Sequence, residues 1–134
     1  MARILVVEDE PRQREDLEWA ASGAGQVVSV PSGQDAIQTI AKESFDVVVT
    51  DLEMETKEAG LEVLRAAKQK DIYTQVIMVT AYGAPRVSVE AMRMGAFDYI
   101  ERNAPGTDVL AMIKSKIALA LEFRIAMLKV SEAR

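Results

Sequence analysis

The sequence contains no cysteine and no histidine. Without cysteine there are no disulfides, no thiolate metal sites and no cysteine nucleophile. Without histidine the chain lacks the usual general base, the Ser-His-Asp triad and nearly all zinc chemistry. Long apolar runs are missing too: none reaches the ~18–20 residues that a membrane span requires. Met1-Ala2-Arg3 leads straight into a short apolar run bounded by acids, which is not a signal peptide. Positive charge is in deficit. Sixteen Lys and Arg face 21 Asp and Glu, a net charge of −5, the wrong sign for a surface that neutralises nucleic-acid phosphates. These absences predict a cytoplasmic protein with no membrane segment and no direct nucleic-acid binding. Its chemistry must rest on carboxylates, hydroxyls and Lys or Arg.

What is present is a regular alternation. With 134 residues, 49% of them apolar, the chain fits one domain with a core of its own. Ile4-Leu5-Val6-Val7 is an apolar strand ending in acids. A helix follows from Pro11 to about Ser22, with proline in the first turn and Leu17, Ala20 and Ala21 on one face. Gly23 and Gly25 break it before a strand at Gln26–Val30. Ser32 is placed to cap a helix with Ala36, Ile37, Ile40 and Ala41 inward. Asp46 to Thr50 is apolar enough to be buried on both faces, and it stops at Asp51. A loop leads to a helix at Leu61–Lys70, then a strand at Gln75–Val79 followed by Thr80. A helix over roughly Pro85–Met94, a strand at Phe97–Ile100 and a final helix capped by Thr107 and running almost to Arg134 complete the set. Repeats, linkers and low-complexity tracts are absent. Strands alternating with helices predict an α/β fold with a parallel sheet covered on both faces. Right-handed crossovers then favour a doubly wound sheet of flavodoxin-like order 2-1-3-4-5.

In that order the carboxyl ends of the strands converge on one crevice. They bring Glu8 and Asp9 after the first strand, Asp51 after the third, Thr80 after the fourth and Arg102 after the fifth. Carboxylates packed together repel unless a cation holds them, and oxygen donors without histidine suit Mg²⁺. A carboxylate also serves as a nucleophile towards phosphorus. Each residue alone has a plainer reading, as a solvated loop acid, a strand-end threonine or a surface charge. The joint placement separates this set from chance. Gly23-Ala24-Gly25 precedes a strand and lacks a third glycine, so it is not a nucleotide-binding fingerprint. The methionines before residue 100 read as core filler.

The motifs themselves are specific. Val6-Val7-Glu8-Asp9-Glu10-Pro11, Val49-Thr50-Asp51-Leu52-Glu53-Met54, Thr80-Ala81-Tyr82-Gly83, Val89-Glu90-Ala91-Met92 and Gly95-Ala96-Phe97-Asp98-Tyr99-Ile100 resemble the receiver domains of two-component response regulators. The flavour is close to receivers of NtrC-type transcriptional activators, over residues 3–120. The resemblance implies that Asp51 is the phosphoacceptor. Asp9, Asp51 and the backbone carbonyl of Glu53 would ligate Mg²⁺, with Glu8 helping through water. Thr80, Ala81 and Arg102 would contact the phosphoryl group, and Thr80 and Tyr99 would carry the conformational change. The implied phosphodonor is a sensor histidine kinase or a phosphotransfer protein. The chain itself would be a switch rather than an enzyme, with at most self-catalysed phosphoryl transfer and autodephosphorylation.

Three departures stand out. Arg102-Asn103 occupies the place of the family's Lys-Pro, the loop from Asp51 to Gly60 is one residue longer, and Glu55 stands where a proline is common. Arg102-Asn103 leaves room for a second reading: a receiver-like interaction module that acts by partner binding without normal phospho-switching. The expected division is a receiver domain over 1–120 and a helical extension over 121–134, a dimerisation element or a linker to a further domain. Leu110, Ile113, Ile117, Leu121, Ile125 and Leu128 form one stripe at helical spacing. Met112, Leu119, Phe123 and Val130 form a second on the opposite side, which suggests a homodimer through this helix.

Overall fold

A computed structural model describes residues 1–81 and 83–133; Tyr82, part of one motif above, and Arg134 lie outside the described residues. Five strands are present: β1 (Arg3–Val7), β2 (Gln26–Val30), β3 (Val47–Asp51), β4 (Gln75–Thr80) and β5 (Asp98–Glu101). Five helices alternate with them: α1 (Pro11–Ser22), α2 (Gly33–Lys42), α3 (Ala59–Lys70), α4 (Pro85–Arg93) and α5 (Val109–Glu132). All pairings are parallel and the sheet order is β2-β1-β3-β4-β5, as expected from the alternation.

Strand side chains point alternately to the two faces. Leu5, Val7, Val48, Val76 and Met78 pack with α2, α3 and α4 through Ala36, Ile40, Leu61, Leu64, Val87 and Ala91. Ile4, Val6, Val47, Val49, Ile77 and Val79 pack with α1 and α5 through Leu17, Ala21, Ile113, Ile117 and Ala120. Because both faces are covered, the central strands read as unbroken apolar runs.

Several details differ from the sequence reading. Ala41 is exposed and Ile37 only half-buried, so α2 turns a narrower face inward, led by Ala36 and Ile40. The cap of α5 is Asp108, whose carboxylate accepts the N–H of Ala111 at 3.1 Å, not Thr107. Thr107 is a good capping residue one position too early; the spacing to the third helical N–H selects Asp108. Helix α3 starts two residues earlier than predicted because Gly60 donates its N–H to the Leu52 carbonyl at 2.9 Å, closing the loop after β3. A Cβ at Gly60 would lie 2.3 Å from the Asp51 carbonyl oxygen, so this approach requires glycine.

Helix α5 is one unbroken element of 24 residues, about 36 Å at 1.5 Å per residue. A five-residue strand spans about 17 Å, so α5 outruns the sheet at the edge where the strands begin. Ile113, Ile117 and Ala120 are buried, whereas Ile125, from the stripe expected inside, is 54% exposed because no sheet remains beneath it. Two contacts still hold the overhang. The Phe123 ring packs tilted on Phe97 with centroids 5.8 Å apart. Arg124 donates to Asp46 at 2.8 Å and to Asp71 at 3.0 Å. Among the described residues no helix is long and apolar enough to cross a membrane.

Candidate functional site

Strand β1 lies between β2 and β3, so the residues leaving β1 and β3 meet at the carboxyl edge of the sheet. Glu8 follows directly on β1 and is fully buried. Its backbone N–H donates to the Val30 carbonyl at 3.2 Å, and its carbonyl accepts from the Arg14 guanidinium at 2.9 Å. Asp9 comes next and is exposed. Glu10 then caps α1, accepting the N–H groups of Arg12 and Gln13 at 3.2 and 2.8 Å, and Pro11 fills the first helical position. The turn from strand to helix is thereby fixed, and with it the direction of both acids.

Asp51 is the last residue of β3 and is 8% exposed. Its Oδ1 accepts the Leu52 N–H at 2.8 Å. Carboxylate oxygens of Glu8, Asp9 and Asp51 all lie within 4.8 Å of one another. Burial, followed by the negative charge of Glu8, pushes the Asp51 carboxyl up to about 7 despite the nearby Arg102. Burial also raises Glu8, against the pull of the Glu10 N–H and of Arg102. Both shifts come first from burial, and the neighbouring acids add to it: Glu8 and Asp9 for Asp51, Asp9 for Glu8. Hard oxygen donors at this spacing fit a small divalent cation.

The other predicted residues gather at the same edge. Thr80 ends β4 and is buried, and its carbonyl accepts the Arg102 N–H at 2.6 Å. Ala81 follows, its carbonyl accepting from the Asn103 side chain at 3.2 Å. Asn103, in the place of the family's proline, therefore ties the loop after β5 to the loop after β4. Its preceding peptide bond is trans. Glu53 lies exposed in the loop two residues beyond Asp51. Tyr99 sits in β5 and packs on the core, but its hydroxyl is buried without a hydrogen-bond partner among the described residues.

Arg102 reaches the pocket by way of Glu8, not Asp51. One guanidinium nitrogen donates to Glu8 Oε1 at 2.7 Å and the other donates to the Gln13 side chain. Gln13 was not singled out from the sequence. Four residues after Asp9, it falls on the inner side of the first turn of α1, but nothing local announces a partner 89 positions away. Glu55, noted only as a missing proline, has a definite place: its two carboxylate oxygens accept the N–H groups of Gly33 and Gln34, both at 2.9 Å. Burial opposes its charge, but these two donors outweigh that and hold the Glu55 carboxyl below its ordinary range.

The geometry matches known proteins. The model of the response regulator receiver domain family matches residues 4–114. Response regulator protein FleR of Pseudomonas aeruginosa is 36% identical over 100 residues, which are 74% of this chain and 21% of FleR. The DNA-binding transcriptional regulator NtrC of Escherichia coli is 29% identical over 116 residues, 86% of this chain and 24% of NtrC. The chain thus spans about a fifth to a quarter of the length of these curated relatives. Response regulator protein TrrA from Thermotoga maritima, solved in complex with Mg²⁺-BeF, superposes with a TM-score of 0.74 and 29% identity, covering 90% of this chain and 100% of that one. An acidic crevice at the carboxyl edge of a 2-1-3-4-5 sheet and a match through most of the length lead to one conclusion: the chain belongs to the response regulator receiver domain family, among relatives that include NtrC-type activators.

Proposed function

We propose that the chain is a phosphorylation-dependent signalling switch whose phosphoacceptor is Asp51. The observation that carries this is the trio of Glu8, Asp9 and Asp51, with carboxylate oxygens within 4.8 Å and Asp51 almost closed off from solvent. A structural cluster of acids would be neutralised; this one is left in excess. Asp9, Asp51 and the Glu53 carbonyl would hold Mg²⁺, with Glu8 acting through water. That a relative, TrrA, was solved with Mg²⁺-BeF supports the assignment. When bound, the ion supplies positive charge against the phosphoryl oxygens.

In the reaction an Asp51 carboxylate oxygen forms a bond to phosphorus. The donor's P–N bond breaks, and its electron pair returns to the donor's imidazole. The donor is a sensor histidine kinase or a phosphotransfer protein, which fits a chain with no histidine of its own. Asp51 must be ionised to attack, so the cations around it, Arg102 included, favour the reactive form. Thr80 and the backbone at Ala81 then meet the phosphoryl group. Tyr99 changes rotamer with Thr80; its hydroxyl, without a partner among the described residues, favours leaving its present place, since a buried unmade hydrogen bond costs roughly 1–3 kcal/mol. The chain is not a small-molecule enzyme, and its only turnover is self-catalysed transfer and autodephosphorylation. We assign it to the cytoplasm, with no direct nucleic-acid contact. The division into a receiver over 1–120 and an extension over 121–134 belongs to the same proposal. Helix α5, extension included, presents Met112, Leu119, Phe123 and Val130, 37–52% exposed, to a second copy across a two-fold axis.

The second reading, a module that signals by binding alone, draws on Arg102, which engages Glu8 and Gln13. Incubation with a small acyl phosphate and Mg²⁺, followed by intact-mass measurement, decides between them. The switch predicts the mass gain of one phosphoryl group in the wild type and none in Asp51→Ala. No gain in the wild type leaves the binding module.

A further inference from the structure

The first two turns of α2 reveal a division of labour. A helix begins with N–H groups that have no partner within the helix. Ser32 takes one, its Oγ accepting the Asp35 N–H at 3.0 Å. The two before it, on Gly33 and Gln34, are taken by Glu55, more than 20 residues away in a different loop. These contacts are charge-assisted and two-pronged, the stronger kind of hydrogen bond.

Glu55 lies four residues beyond Asp51 and two beyond Glu53. The loop that carries all three is pinned at its base, where the Leu52 N–H meets the Val79 carbonyl at 3.0 Å and the Gly60 N–H meets the Leu52 carbonyl at 2.9 Å. Glu55 supplies the second fixed point. Its anchor is itself firm, because Gly33 is buried and a Cβ there would lie 3.3 Å from Ala59 Cβ. Only Glu53 and Met54 span the gap between the pinned Leu52 and the α2 clamp.

From this geometry we infer that Glu55 is a positioning residue for the metal pocket. By gripping the amino end of α2 it fixes the course of the loop that carries Glu53, a task that a stiff proline would otherwise perform by restricting the backbone. The inference rests on the reading of the pocket given above. It also makes α2, which contributes no residue to the crevice, a support on which cation affinity depends.

The test measures Mg²⁺ affinity by NMR shifts in the full 134-residue chain, beside thermal stability, for Glu55→Ala, Glu55→Gln and Ser32→Ala. Ser32→Ala removes a cap from the same helix end without touching the loop. The expected result is a roughly ten-fold weaker Mg²⁺ affinity in Glu55→Ala, as when supporting partners of metal ligands are lost. Glu55→Gln, keeping one acceptor, falls in between, and Ser32→Ala binds as the wild type does. Amide exchange at Gly33 and Gln34 should quicken in Glu55→Ala with or without metal. A responsive wild type with unchanged affinity in Glu55→Ala overturns the inference and leaves the pocket intact. Equal weakening in Ser32→Ala overturns it too, because affinity would then track helix stability. A wild type that binds no Mg²⁺ overturns the pocket and this inference together.

Discussion

The two edges of the sheet carry similar side chains and treat them in opposite ways. At the edge where strands begin, Asp46 and Asp71 share the Arg124 guanidinium, and Asp46 also accepts the Arg3 N–H at 2.7 Å. Nearby Glu43 pairs with Arg3 at 2.5 Å. At the edge where strands end, three acids crowd together and Arg102 pairs with Glu8 alone among them. Balanced acids hold a fold together. Buried acids short of a countercharge cost stability instead, and so mark a candidate functional site.

The sharpest test of this contrast removes one acid from each edge. Asp51→Asn should abolish phosphorylation by an acyl phosphate while raising stability in urea. Asp46→Asn should leave phosphorylation intact and lower stability. Phosphate uptake lost in Asp46→Asn, or kept in Asp51→Asn, would break the comparison.

Acidity offers the next largest effect. The Asp51 carboxyl sits at about 7 in the folded chain against 3.8 unfolded. Between these values the unfolded state has already released its proton while the native state keeps it. Stability is therefore lost as pH rises from about 4 to about 7, by something on the order of a few kcal/mol, and stays low above that. Urea titrations in EDTA should show this slope, Asp51→Asn should reduce it to the share that buried Glu8 leaves, and Mg²⁺ should oppose the loss at neutral pH. A stability that climbs over the same interval would mean that the pocket is already neutralised.

Arg124 is 14% exposed at its side chain, and its removal leaves Asp46 and Asp71 facing each other. Arg124→Ala should cost roughly 1–3 kcal/mol in urea unfolding and speed amide exchange beyond residue 121, with no change in Mg²⁺ affinity. The smallest effect belongs to Tyr99. Replacing it with Phe removes a buried hydroxyl that has no partner among the described residues, and about 1 kcal/mol of added stability should follow in the unphosphorylated protein. A loss of stability would show that the hydroxyl is satisfied after all.

The fold was legible because its cause is local. Strand segments such as Ile4–Val7 are apolar at every position, helices such as α1 show their inner face at Leu17, Ala20 and Ala21, and right-handed crossovers settle the order. The acids of the pocket were legible for a related reason: they follow strands immediately, so chain order alone brings them to one edge. Contacts between distant side chains were not legible. Arg124 meets partners 53 and 78 residues away, Arg102 meets Gln13 across 89, and Glu55 meets α2 across 21 and 22. No periodicity marks such pairs, because each depends on where two elements end in space. Nothing around Arg124 in the sequence sets it apart from the other charges of its helix. Glu55 read as an absence of proline, and its bonds became visible only when α2 was placed beside the loop.

The Arg124 contact has a mechanical side. Its two acceptors belong to separate parts of the sheet edge, Asp46 leading into β3 and Asp71 leading towards β4. The helix beyond it, residues 125–132, runs on for about 12 Å, with Met127 and Leu128 half-buried. Asp51 and Thr80 close those same two strands at the opposite edge. Each of these strands therefore joins one acceptor of Arg124 at its start to one residue of the acidic crevice at its end.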